Sequence, residues 1–166
     1  AFKAGVSCSG DLHLASFDTH SAHDQGHEAL MAHLCDSVDF LWTNAGQLGL
    51  ANRITLVIGS EFSRTPFYNS EDGKDHWPIG SMLVMEKNPS WGNRVVGVTD
   101  EGQNAHKINT GSLKRDDKNG TIIYPKHVHK ALRSYLDLDS FAGLSDFPFN
   151  DTADFDLFSP TKRTVG

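Results

Sequence analysis

The chain has 166 residues, 38% of them hydrophobic and 22% charged, with a formal net charge of -6 at pH 7. That size suits one soluble domain with its own core. No apolar run is long enough to span a bilayer, and the acidic balance, densest between Asp137 and Asp156, argues against a nucleic-acid partner.

Leu12 to Phe17 is short and apolar and runs into Asp18, the pattern of a buried strand ending in a polar loop. From His27 onward, Leu30, Met31, Leu34, Val38, Leu41, Trp42 and Ala45 recur every three or four residues, which predicts an amphipathic helix of roughly 20 residues ending near Gly46 or Gly49. Arg53 to Gly59 is β-branched and nearly continuous in its apolar character, as a central strand covered on both faces would be. A helix leading into such a strand predicts a parallel α/β unit. Ser60 to Trp77 reads as a long loop at the strand's C-terminal end, where α/β enzymes build their sites. Ser81 to Met85 and Arg94 to Thr99 read as further strands, and Asp100 to Gly120 as loop. Pro125 suits the first turn of a helix that carries Val128, Ala131, Leu132, Tyr135 and Leu136. An α/β core over 1–138 and an irregular acidic and aromatic tail over 139–166 follow, the tail's Phe141, Phe147, Phe149, Phe155 and Phe158 being expected to dock on their own domain.

Three clusters carry candidate chemistry. Asp18, His20, His23 and His27 follow the first predicted strand, and Asp and His are the donors of a zinc-type site. His23 and His27 read equally as ligands or as solvated residues at a helix start. Glu61 stands at the end of the central strand, where a carboxylate needs a cation or donors. It is expected either as a metal ligand or as the ion-pair partner of Arg64, whose planar fork also suits an anionic substrate group. Asp75 and His76 supply two ligands, or one ligand and its orienting partner.

The remaining histidines, His13, His33, His106, His127 and His129, are not expected to bind metal. Cys8 and Cys35 are too few for a disulfide framework, although one bridge stays open. The opening at Ala1, with no charged-then-apolar leader, is the expectation for a processed or truncated start. No nucleophile elbow, phosphate-cradling glycine loop or catalytic cysteine setting is present in the sequence.

Taken in order, SFDTH, the long helix, the strand into SEFSRTP, then GKDHWP and RVVGVTD resemble a bacterial family of unknown function numbered 1501, grouped with the alkaline phosphatase and sulfatase superfamily. The resemblance runs from about Ala4 through the helix of Pro125 to Leu138 and corresponds to the C-terminal portion of that family's longer members. It implies a three-layer α/β sandwich with a mainly parallel sheet, alkaline phosphatase-like, of which this chain is a partial domain. It also implies periplasmic or secreted location and one or two divalent ions, with zinc expected. Asp18 with His20, Glu61 and His76 would correspond to metal ligands, with Asp75 and His23 as further candidates and Arg64 contacting the substrate. The expected activity is hydrolysis of phosphate or sulfate esters, with the N-terminal remainder of the same protein supplying the nucleophile. The superfamily places Asp then His at the strand end, whereas this chain has Glu61 then Phe62. That departure supports the alternative of a non-catalytic, metal-stabilised binding or assembly module, secreted or at the cell surface; a small autonomous metal-binding protein formed by this chain alone is a third reading.

Overall fold

The computed structural model describes residues 1–159, and the last part of the expected tail, residues 160–166, lies outside the described residues. The chain divides into two compact units, Ala1–Lys87 and a second that begins at Asn88.

In the first unit the dominant element is helix α1, His23–Gln47. The predicted stripe is its half-buried face, with Leu30, Leu34, Val38, Leu41 and Trp42 leading to the buried Ala45, while Met31 stays exposed. The helix starts four residues earlier than the apolar periodicity predicts. Ala22 takes a left-handed conformation at the N-cap, and the His23 N–H donates to the Asp72 carbonyl at 2.9 Å, a tertiary contact that no local pattern reports. The helix ends as Gly49 turns left-handed at φ 72° and the Leu50 N–H returns to the Ala45 carbonyl, a glycine-dependent stop.

Strand β1, Leu56–Ile58, falls within the predicted central strand, and β4, Leu83–Met85, within the next. They pair antiparallel, with Val57 opposite Val84. The parallel pairing expected after the helix is therefore replaced here by an antiparallel one. Inside the predicted loop lie two short strands, β2, Ser63–Arg64, and β3, His76–Trp77, also antiparallel, with Arg64 opposite His76. Leu12 to Phe17 forms no strand; Ser16 has φ 75°, which breaks an extended path.

The second unit packs Trp91, Ile108, Leu132 and Phe155 as its buried apolar residues. Ile108 is 2% exposed and exchanges both backbone hydrogen bonds with Thr121. Arg94 to Thr99 forms no named strand, contributing only an isolated bridge between Thr99 and Ala105. Helix α2, Pro125–Tyr135, begins with proline at its first position, as expected. In the tail Phe155 packs on the His127 ring, and Phe158 stacks with Tyr135 and meets Trp91 edge-on, so these two dock on their own unit, whereas Phe141 and Phe147 stay exposed. Among the described residues no helix is long and apolar enough to cross a membrane.

Candidate metal centre

Two segments far apart in sequence are zipped together in the first unit. The Ala22 N–H donates to the Glu71 carbonyl, the His23 N–H to Asp72 and the Lys74 N–H to the Thr19 carbonyl. Ser21 and Asp72 form an antiparallel bridge. The approach is so close that a Cβ on residue 73 would stand 1.8 Å from the His20 carbonyl oxygen, so only glycine fits at Gly73. This zipper brings Asp18 and His20 against β3, which holds His76.

Three ligand-type atoms then face one another. His20 Nε2 lies 3.0 Å from Asp18 Oδ1, His76 Nε2 lies 3.1 Å from the same oxygen, and the two imidazole nitrogens are 3.2 Å apart. Asp18, His20 and His76 form the one group with metal-holding geometry found among the described residues, and all three are exposed. Tetrahedral zinc with bonds of about 2.0–2.1 Å keeps its ligand atoms roughly 3.3 Å apart, close to the edges of this triangle.

Asp75 occupies the orienting position instead of a ligand position. His20 Nδ1 donates to Asp75 Oδ1 at 2.9 Å, which fixes the tautomer of a neutral ring and turns the Nε2 lone pair toward Asp18 and His76. Hydrogen bonds from His20 and then from Asn69 hold the Asp75 carboxyl below the usual carboxylate range. Asp18 is likewise held low, first by Arg64 and then by His76.

Arg64 is the group's neighbour from β2. Its guanidinium donates to Asp18 Oδ1 and, through Nη1, to the Lys74 carbonyl at 2.9 Å, and its side chain is only 11% exposed. Its partner is thus Asp18, and no pairing with Glu61 occurs among the described residues. Glu61 sits exposed in a bend after β1 and takes no part in the ligand group. The following residue, Phe62, stacks on the His76 ring with centroids 3.9 Å apart.

His23 is buried behind the cluster. Its Nδ1 is hydrogen-bonded to Thr19 Oγ1 at 2.6 Å and its ring stacks on His27. Burial, reinforced by His27, lowers its proton affinity. His23 therefore supports the Asp18–His20 turn as a neutral ring and is not part of the ligand group. His27 Nδ1 is buried with no hydrogen-bond partner, beside the edge of Phe17.

Sequence reasoning passed over Asn69, Gly73 and Thr19. The run NSEDG carries turn chemistry, which signals a bend at 69–73 but not the backbone that the bend will clasp.

No curated protein and no solved structure matches the chain. Residues 5–117, more than half of the 166, match the family described as protein of unknown function (DUF1501). The matched segment holds Asp18, His20, Arg64, Asn69, Gly73, Asp75 and His76 together. The chain belongs to that family.

Proposed function

We propose that Asp18, His20 and His76 hold a divalent ion, zinc by donor type, and that the site serves hydrolysis of phosphate or sulfate esters in a protein of the alkaline phosphatase and sulfatase superfamily. The observation that carries the metal reading is the triangle of ligand-type atoms. With the His20 Nδ1–H committed to Asp75, His20 Nε2, His76 Nε2 and Asp18 Oδ1 stand 3.0–3.2 Å apart, and in the tautomer that leaves His76 Nε2 unprotonated each offers a lone pair to one cation. Two imidazole nitrogens with one carboxylate, open to solvent on one side, are the donor set of zinc sites that keep a position for substrate.

A bound ion would supply Lewis-acid polarisation of an ester oxygen. Arg64, held by the Lys74 carbonyl and Asp18, would orient non-bridging oxygens of the anionic ester with its donor fork. Asp75 keeps His20 in the ligating tautomer. The reading takes its nucleophile from a preceding segment of the protein. It also takes the two-stranded sheet of β1 and β4 as part of a larger three-layer α/β sandwich, because Val57 and Leu83 stand exposed on it and two strands alone are only marginally stable. Periplasmic or secreted location belongs to the same reading.

The second reading is a metal-stabilised binding module without hydrolysis. It is favoured by one observation, that Glu61 and Phe62 at the strand end add no ligand for a second ion.

Elemental analysis of the purified chain decides the first step. The native protein is expected to carry stoichiometric metal that the combined variant Asp18→Ala, His20→Ala, His76→Ala loses. A folded native chain that takes up no metal even when it is supplied overturns the reading. Hydrolysis of phosphate or sulfate esters by metal-loaded protein that includes the preceding segment then separates the hydrolase from the binding module.

A further inference from the structure

One side chain ties the whole approach together. The Asn69 carboxamide donates through Nδ2 to the His20 carbonyl at 2.9 Å and to Asp75 Oδ1 at 3.1 Å. Its Oδ1 accepts from the Glu71 and Gly73 N–H groups, both at 2.9 Å. An amide has two donor hydrogens and two acceptor lone pairs, and here all four are used. The two acceptances shape the 69–73 turn, which is a local task. The two donations reach the residue that ligates and the residue that orients it. Asp75 Oδ1 is thereby held from two sides, by His20 Nδ1 and by Asn69 Nδ2.

We propose that Asn69 is a positioning residue of this centre, locking the His20 backbone and the Asp75 carboxylate in one frame so that His20 Nε2 is aimed at the ion. The inference rests on the metal reading above and adds to it. Without the Nδ2 donor, Asp75 can rotate away, and the imidazole loses both its fixed tautomer and its direction. A glutamine carries the amide one methylene too far to span all four partners. An aspartate keeps the acceptor side, and with it the turn, but has no N–H to give and sets a second carboxylate beside Asp75.

The Asn69→Asp variant of the full chain therefore separates a structural role from a positioning one. Three quantities are read: thermal unfolding without metal, zinc affinity by competition with a chromophoric chelator, and the visible absorption of the cobalt-substituted protein. The expected result is metal-free unfolding like the native protein's, zinc affinity lowered about 10- to 100-fold, as for other loss of outer contacts, and an altered cobalt band. Exchanging the pair, Asn69→Asp with Asp75→Asn, rebuilds a hydrogen bond between the two positions and is expected to regain part of the lost affinity. Native-like zinc affinity and cobalt spectrum in Asn69→Asp overturn the inference and leave the metal centre standing. So does an Asn69→Asp chain that fails to fold without metal, since Asn69 would then be structural, or an exchanged pair that recovers nothing. A native chain with no affinity for zinc or cobalt removes the metal reading itself, and this inference with it.

Discussion

The first unit, Ala1–Lys87, and the second, from Asn88 on, obtain order by different means. In the first, the buried positions are small or polar, Ala45, Ala51, Gly73, His23 and Thr65, and the local framework is a zipper of backbone hydrogen bonds closed by the Asn69 amide. In the second, Trp91, Ile108, Leu132 and Phe155 are buried and aromatic rings pack against one another, edge-on, tilted or stacked. The histidines follow the same division. His127 in the second unit is 3% exposed, its Nδ1 accepting the Tyr124 N–H at the start of α2, so that nitrogen is spent on the fold. His106 pairs with Asp117, which also accepts from Arg115, and no third ligand joins them among the described residues. In the first unit His20 and His76 keep their Nε2 atoms turned toward each other at an exposed site. The framework of the first unit leaves ligand-type atoms together at the surface, whereas the core of the second unit buries its histidine, His127.

The sharpest way to break this comparison is Gly73→Ala. The added methyl overlaps backbone, which cannot swing aside as a side chain can, so the zipper must open. Complete loss of metal retention is expected, with helix content kept, as read by elemental analysis and circular dichroism. A variant that still holds metal would show that backbone approach does not organise the centre. Next in size is Ile108→Ala, expected to destabilise the chain by about 2–5 kcal/mol in denaturant unfolding while zinc affinity, measured under folded conditions, stays native. A parallel loss of affinity would mean that the two units do not divide the work as described.

The smallest expected effect concerns pH. Burial, with Lys126 and Lys130 nearby, lowers the proton affinity of His127. Its folded pKa thus lies below the unfolded value of about 6.5. The stabilisation is fully present above that value and is lost as pH falls through it toward the folded pKa. Protonation of Nδ1 also removes the acceptor for the Tyr124 N–H. Acidification from neutrality should cost about 1 kcal/mol through the lost cap, seen as a lower denaturation midpoint. His127→Gln, which keeps an acceptor at this capping position without titrating, should flatten the dependence. An unchanged slope would assign it to another group.

Much of the helical structure and the identity of the chemical groups was legible in the sequence. The spacing of Leu30, Leu34, Val38, Leu41 and Ala45 marks the inner face of α1, and Pro125 marks the start of α2, because helix periodicity and capping depend on residues three or four apart. Asp18, His20 and His76 were legible as donors by residue type and by their place after predicted strands, but only together with His23, Glu61 and Asp75. Arg94 to Thr99 shows how far such patterns reach. It has the composition of a strand, yet strands need partners, and composition does not name them.

Only tertiary structure decided which donors converge. The separations are long: 55 residues between His20 and Asp75, 58 between Asp18 and His76, 49 between Asn69 and the His20 carbonyl. It also turned the expected parallel neighbour of β1 into the antiparallel β4, moved the start of α1 to His23 through the Asp72 carbonyl, left Glu61 outside the ligand group and made Asp75 an orienting residue. Local chemistry chooses the groups and the helices because each residue carries it alone or shares it with near neighbours. The triangle of ligand atoms depends on two loops meeting across a glycine, and that contact exists only once the chain has folded.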